Sequence, residues 1–216
     1  MPDIQPLILH RMGGTSNPWK VTIILEELGL PYTVEEHAPA NMAELKQKPF
    51  TNLNPNGRVP SGAIIDYLIE VYDSSNLLHY ESAPEKFQTR CWEHFQMSGQ
   101  GPYWSQMTWF YMKHHEKLPS AMERYKNEVL RTISVIDTHL SEKKTDYLVG
   151  NKATYADLMF VTHCTAFAII FASELDLTTL RYYNAWVDRL QARPMTNKVM
   201  AEFKEMIMAQ IAKTGE

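Results

Sequence analysis

Two short runs hold the residue types best suited to chemistry. Ser16 and Asn17 stand directly before Pro18 and a helical pattern. A hydroxyl and a carboxamide beside the free N–H groups of a first helical turn can hold an anion, and proline is preset for the first helical position. Capping the helix is the structural use of Asn17, and the two uses are compatible. The second run is Arg58-Val59-Pro60, which passes straight into Ser61-Gly62-Ala63-Ile64-Ile65. A turn ending at a proline that begins an extended segment is followed at once by a serine-capped helix, where a strand is expected between them. Arg58 offers a planar fork of donors to a carboxylate, or is simply solvated. Ser61 opens a helix whose N–H groups suit a carboxylate, and it also caps that helix. A third set is apolar. Tyr103, Trp104, Met107, Phe110 and Tyr111 recur at three- and four-residue intervals after Gly101-Pro102, with Met97 just before. Such a stripe either packs a core or forms the adaptable wall of a hydrophobic-ligand cleft.

The elements that must position these residues are legible from periodicity. Pro6 to His10 is a short apolar run of strand length, followed by breakers from Gly13 to Pro18. A helix is predicted from Trp19 to Leu28, with Val21, Ile24, Leu25 and Leu28 on one face and a stop at Gly29. Tyr32 to His37 alternates like a second strand. Ala43 to Lys48 is a short helical stretch, Asn52 to Gly57 a turn cluster, and Ser61 to Tyr72 an amphipathic helix. From about Ala83 onward no strand pattern appears. Pro84 to Lys117 is helical but interrupted at Gly99-Gln100-Gly101-Pro102, where a kink or break is expected. Pro119 to Leu140 is periodic, and Thr154-Tyr155-Ala156-Asp157 is a capping box that opens a strongly apolar helix from Leu158 to Phe171. Further helices cover Leu180 to Ala192 and Thr196 to Ala212. An α/β unit over 1–76, followed by an all-helical unit over 83–216, is the expected architecture.

Composition narrows the function. With 21 basic and 25 acidic residues the net charge is −4, and no basic run suggests nucleic acid. No apolar stretch approaches the ~18 residues of a membrane span. Met1 to Gln5 lacks the basic region and apolar core of a signal peptide, so a cytoplasmic protein is expected. Cys91 and Cys164 sit alone in helical patterns and read as reduced thiols. His114-His115-Glu116 is the histidine cluster along the chain, but adjacent helical residues point apart, so no metal site is expected there.

Taken in order, these motifs resemble the glutathione S-transferase superfamily, in the fungal branch with nitrogen-regulator and prion-like members and their bacterial nu-class relatives. The residues that carry the resemblance are Ser16 to Val21, Leu25 to Tyr32, Asn54 to Ile65, Gln96 to Pro102 and Tyr147 to Asp157. It implies a thioredoxin-like first domain, glutathione as cofactor, and a homodimer. It also implies roles. Ser16 and Asn17 become the groups that stabilise the glutathione thiolate, in place of tyrosine or cysteine. Pro60 becomes a cis-proline, with Val59 offering its backbone to the cysteinyl part and Arg58 facing a carboxylate. Ser61 holds the γ-glutamyl group, although the acidic residue that normally precedes it is replaced by Pro60. Met97, Tyr103, Trp104, Met107, Phe110 and Tyr111 become the site of a hydrophobic substrate. The junction of Pro60 with Ser61 reads as the excision of a β-hairpin of roughly fifteen residues, whose ends lie side by side, with a gene-model or splicing error as the competing explanation. Its loss bares a sheet edge and uncovers helices.

The activity expected is addition of the glutathione thiolate to an activated alkene of a hydrophobic electrophile, in fungal secondary metabolite biosynthesis. A persistent adduct makes the enzyme a transferase; rotation followed by loss of the thiol makes it a cis–trans isomerase. A pruned site leans towards the second. A non-catalytic regulator or scaffold of the same fold is the alternative.

Overall fold

The computed structural model describes residues 6–12, 15–37, 39–57 and 62–214. The chain divides into two compact units, 1–77 together with 193–216, and 78–192.

In the first unit, Leu7–Met12 forms β1, Asn17–Glu27 helix α1 and Tyr32–His37 β2. The two strands pair in parallel with Leu7 opposite Tyr32 and Met12 opposite His37. Such a pairing needs a crossover, and α1 supplies it. The helix is more deeply buried than a one-sided stripe predicts, since every residue from Pro18 to Leu25 is buried. It stops where Gly29 adopts φ +63°, which turns the Leu30 N–H back to the Leu25 carbonyl at 3.0 Å. A 3-10 segment, Pro39–Lys46, leads to the short α2, Phe50–Leu53, and then to α3, Gly62–Tyr72.

The C-terminal helix α9, Pro194–Thr214, expected in the helical unit, packs instead on α1. The Phe203 ring lies 5.4 Å from that of Trp19. Glu27, 6% exposed, takes two bonds from Arg193 (3.1 and 2.6 Å) and one from the Thr196 hydroxyl (2.7 Å). Glu26 joins Lys198 at 2.9 Å and accepts from the Tyr32 hydroxyl at 2.9 Å.

Tyr32 yields a pH prediction. Burial, and then its bond to Glu26, raise the phenol from 10.0 to about 12. The folded state favours the neutral form, so this contribution is full below pH 10 and is lost as the pH climbs through about 12. After solvent screening it is worth about 1 kcal/mol. Urea melts across that window should fall less steeply for Tyr32→Phe than for the parent; parallel curves would refute the assignment.

The second unit is helical: α4 (Ala83–Phe95), α5 (Gly101–Thr108), α6 (Pro119–Lys143), α7 (Tyr155–Ile170) and α8 (Arg181–Gln191). The interruption expected at Gly99–Pro102 takes the form of a π-helical turn and not of a split. Pro102 cannot donate a helical hydrogen bond, but the chain widens into a π-helical turn over Gln96–Gln100 and continues, with a second such turn at Trp109–Lys113. At the core is α7, buried from Tyr155 through Phe167. Its capping box is formed as expected, but the helix begins at Tyr155 rather than Leu158. Among the described residues no helix is long and apolar enough to cross a membrane.

Candidate active site

The first candidate element is the N-terminus of α1. Ser16, not Asn17, occupies the capping position, and it makes no side-chain cap bond. Asn17 is the first helical residue and is exposed, and its carboxamide makes no hydrogen bond among the described residues. The expectation that Asn17 caps the helix is therefore corrected. Just before it, the Thr15 hydroxyl donates to the Met12 carbonyl at 3.1 Å. A free carboxamide, a hydroxyl and first-turn N–H groups make a donor set suited to an anion.

The second element is the turn ahead of Arg58. Asn54 organises it: its carbonyl accepts from Gly57 N–H at 2.8 Å and its side chain from Asn56 N–H at 3.1 Å. Gly57 has φ +58°, and a Cβ there would lie 2.5 Å from the Leu45 carbonyl oxygen. Only glycine suits both the conformation and the contact. Gly57→Ala should therefore cost about 2–4 kcal/mol, combining left-handed strain with a clash against backbone. Urea unfolding checks this, and a cost under about 1 kcal/mol would contradict it. The site residues Arg58, Val59, Pro60 and Ser61 lie outside the described residues. The cis peptide among the described residues is Lys48–Pro49.

Beside β1 lies a cavity of about 340 Å³, lined among others by Leu7, Ile8, Leu9, Val21, Phe50 and Leu68. Successive strand residues point to opposite faces, so a space touching Leu7, Ile8 and Leu9 together wraps around the strand's free edge. Among the described residues the sheet has two strands, and this edge carries none.

The apolar stripe divides by depth. Trp104 and Met107 are fully buried, and the Trp104 indole donates to Thr132 Oγ1 at 2.9 Å and packs on Phe167 at 4.4 Å. They belong to the core behind the stripe. Tyr103, Phe110 and Tyr111 are half-buried and Met97 is exposed. Tyr103 and Phe110 both meet Tyr125 of α6, at 6.5 and 5.3 Å, while Tyr111 stands edge-on to Phe171 at 5.5 Å. Sequence reading missed Tyr125 and Phe171 as members of this cluster, since no local spacing joins them to it. Burial, and then the Glu174 carboxylate, push the Tyr111 phenol up, so it stays a hydrogen-bond donor.

A parallel βαβ unit on one chain with an all-helical unit fits a thioredoxin-like, glutathione-transferase type of protein. Residues 16–81 match the glutathione S-transferase N-terminal domain and residues 103–202 the C-terminal domain. The glutathione S-transferase-like protein tpcF of Aspergillus fumigatus is 38% identical, covering 94% of this chain and 98% of its own. That alignment runs over 224 positions against a chain of 216, so part of the relative has no counterpart here. The glutathione S-transferase-like protein OpS6 of Beauveria bassiana is 37% identical, covering 93% and 97%. Among solved structures, the glutathione transferase URE2P6 of Phanerochaete chrysosporium, in complex with oxidized glutathione, aligns with TM-score 0.85 at 35% identity, covering 92% and 96%. The chain belongs to the glutathione S-transferase family, in its fungal Ure2-like branch.

Proposed function

We propose that the chain is a glutathione-dependent enzyme that acts on a hydrophobic electrophile, an activated alkene, in fungal secondary metabolite biosynthesis. The observation that carries this reading is the exposed Asn17 carboxamide at the start of α1, free of any capping duty. When bound, glutathione supplies a thiol whose anion is the nucleophile. Asn17, Ser16 and the first-turn N–H groups stabilise negative charge at that sulfur. Arg58, Val59, Pro60 and Ser61 hold the peptide part. Met97, Tyr103, Phe110 and Tyr111 cover the electrophile, with Trp104 and Met107 as their rigid backing.

Incubation with glutathione and a conjugated enone, read by mass spectrometry, tests the reading. A mass increase of one glutathione marks conjugation. An isomer of unchanged mass marks reversible addition, in which the sulfur leaves again after the bond has rotated. Recovery of the starting alkene with neither product, across enones of different size, would favour a non-catalytic regulator or scaffold. The protein is further proposed to be a cytoplasmic homodimer, which light scattering tests through its mass in solution.

A further inference from the structure

The parallel register brings together three ligand-type side chains that are far apart in sequence. His10 lies opposite Glu35, and His37 follows Glu35 by two residues, so all three share one face of the sheet. Their ligand atoms lie within 4.8 Å of one another. His10 Nδ1 is 3.0 Å from His37 Nε2 and 3.2 Å from Glu35 Oε2. Donors bound to one tetrahedral zinc at 2.0–2.1 Å stand roughly 3.3 Å apart, which is close to this spacing. Phe50 packs edge-on against both imidazoles, with ring centroids 5.6 and 6.4 Å away, and limits their rotation. Arg11, the neighbouring cation on β1, points to the other face, where it pairs with Glu36.

We propose that His10, Glu35 and His37 form a binding site for a divalent metal ion of the zinc class. Two imidazoles and one carboxylate on a preformed face suit such an ion and leave a fourth position for water. The ion would tie β1 to β2, adding a cross-strand link to a sheet of two strands, which is marginal by itself. The site does not depend on the glutathione reading.

Titration of chelator-treated, untagged protein with zinc chloride in a calorimeter tests the site, with cobalt(II) absorption reporting the geometry. One equivalent is expected to bind. Glu35→Gln, at a 56% exposed side chain where folding is not at stake, and His37→Ala should each weaken binding by at least the roughly 10- to 100-fold lost when an outer-shell partner is removed. A variant with His114 and His115 both replaced by alanine should bind as the parent does. No binding at micromolar zinc would overturn the proposal. So would binding that survives Glu35→Gln and His37→Ala unchanged but disappears in the His114/His115 variant.

Discussion

Asp157→Ala is expected to cost about 3–5 kcal/mol of folding stability, the range for removing a buried charge that satisfies several donors. Asp157 is fully buried at the start of α7. Its Oδ1 accepts from the Leu148 N–H and the Trp186 indole, each at 2.9 Å. Its Oδ2 accepts from the Thr154 N–H at 2.9 Å and the Thr154 hydroxyl at 2.7 Å. Burial holds this carboxyl above the usual carboxylate range, and the four donors offset that shift only in part. Alanine would strand those donors where water cannot replace the acceptor, at about 1–3 kcal/mol for each one left unpaired before relaxation. One residue thus joins the start of α7, the preceding loop and α8. An asparagine at this position keeps the shape but turns an NH2 group towards donors, so Asp157→Asn should fall between parent and alanine. Urea unfolding measures both. A loss under about 1 kcal/mol for alanine would contradict this account of the helical core.

Asn17→Ala should lower glutathione-dependent turnover roughly 10- to 100-fold, with a much smaller change in glutathione affinity. The figure follows from losing one hydrogen bond to a charged group, about 1.5–3 kcal/mol. The bond matters most where sulfur carries charge, so the loss should appear in turnover and in a raised pKa of the bound thiol. Stability should hardly change, because the Asn17 side chain is exposed and does not cap α1. A fall in stability with turnover intact would make Asn17 a structural residue after all.

Local signals carry much of the fold. The β1 and β2 runs, the Gly29 stop and the Thr154–Asp157 capping box are written in neighbouring residues, and each stands near its expected place. What sequence reading misses depends on contacts between distant residues. Glu27 and Arg193 are separated by 166 positions, and nothing local ties α9 to α1. His10 and His37 meet only because the strands pair in that register. The stripe from Tyr103 to Tyr111 has one helical spacing throughout, yet neighbours on α6 and α7 decide which members are core. Pro102 reads as a kink or a break, because spacing cannot show that a π turn absorbs the missing donor. At the candidate site the donor types are legible, but the exchange of roles between Ser16 and Asn17 depends on backbone angles.

Glutathione is expected to bind although Pro60 passes directly into Ser61, with no residues for the hairpin that the resemblance implies. Isothermal titration calorimetry of the full chain with reduced glutathione tests it most directly. One site per chain is expected, with affinity reduced by salt because the ligand's carboxylates are held partly by charge. No heat of binding at millimolar glutathione, from protein shown to be folded, would contradict it.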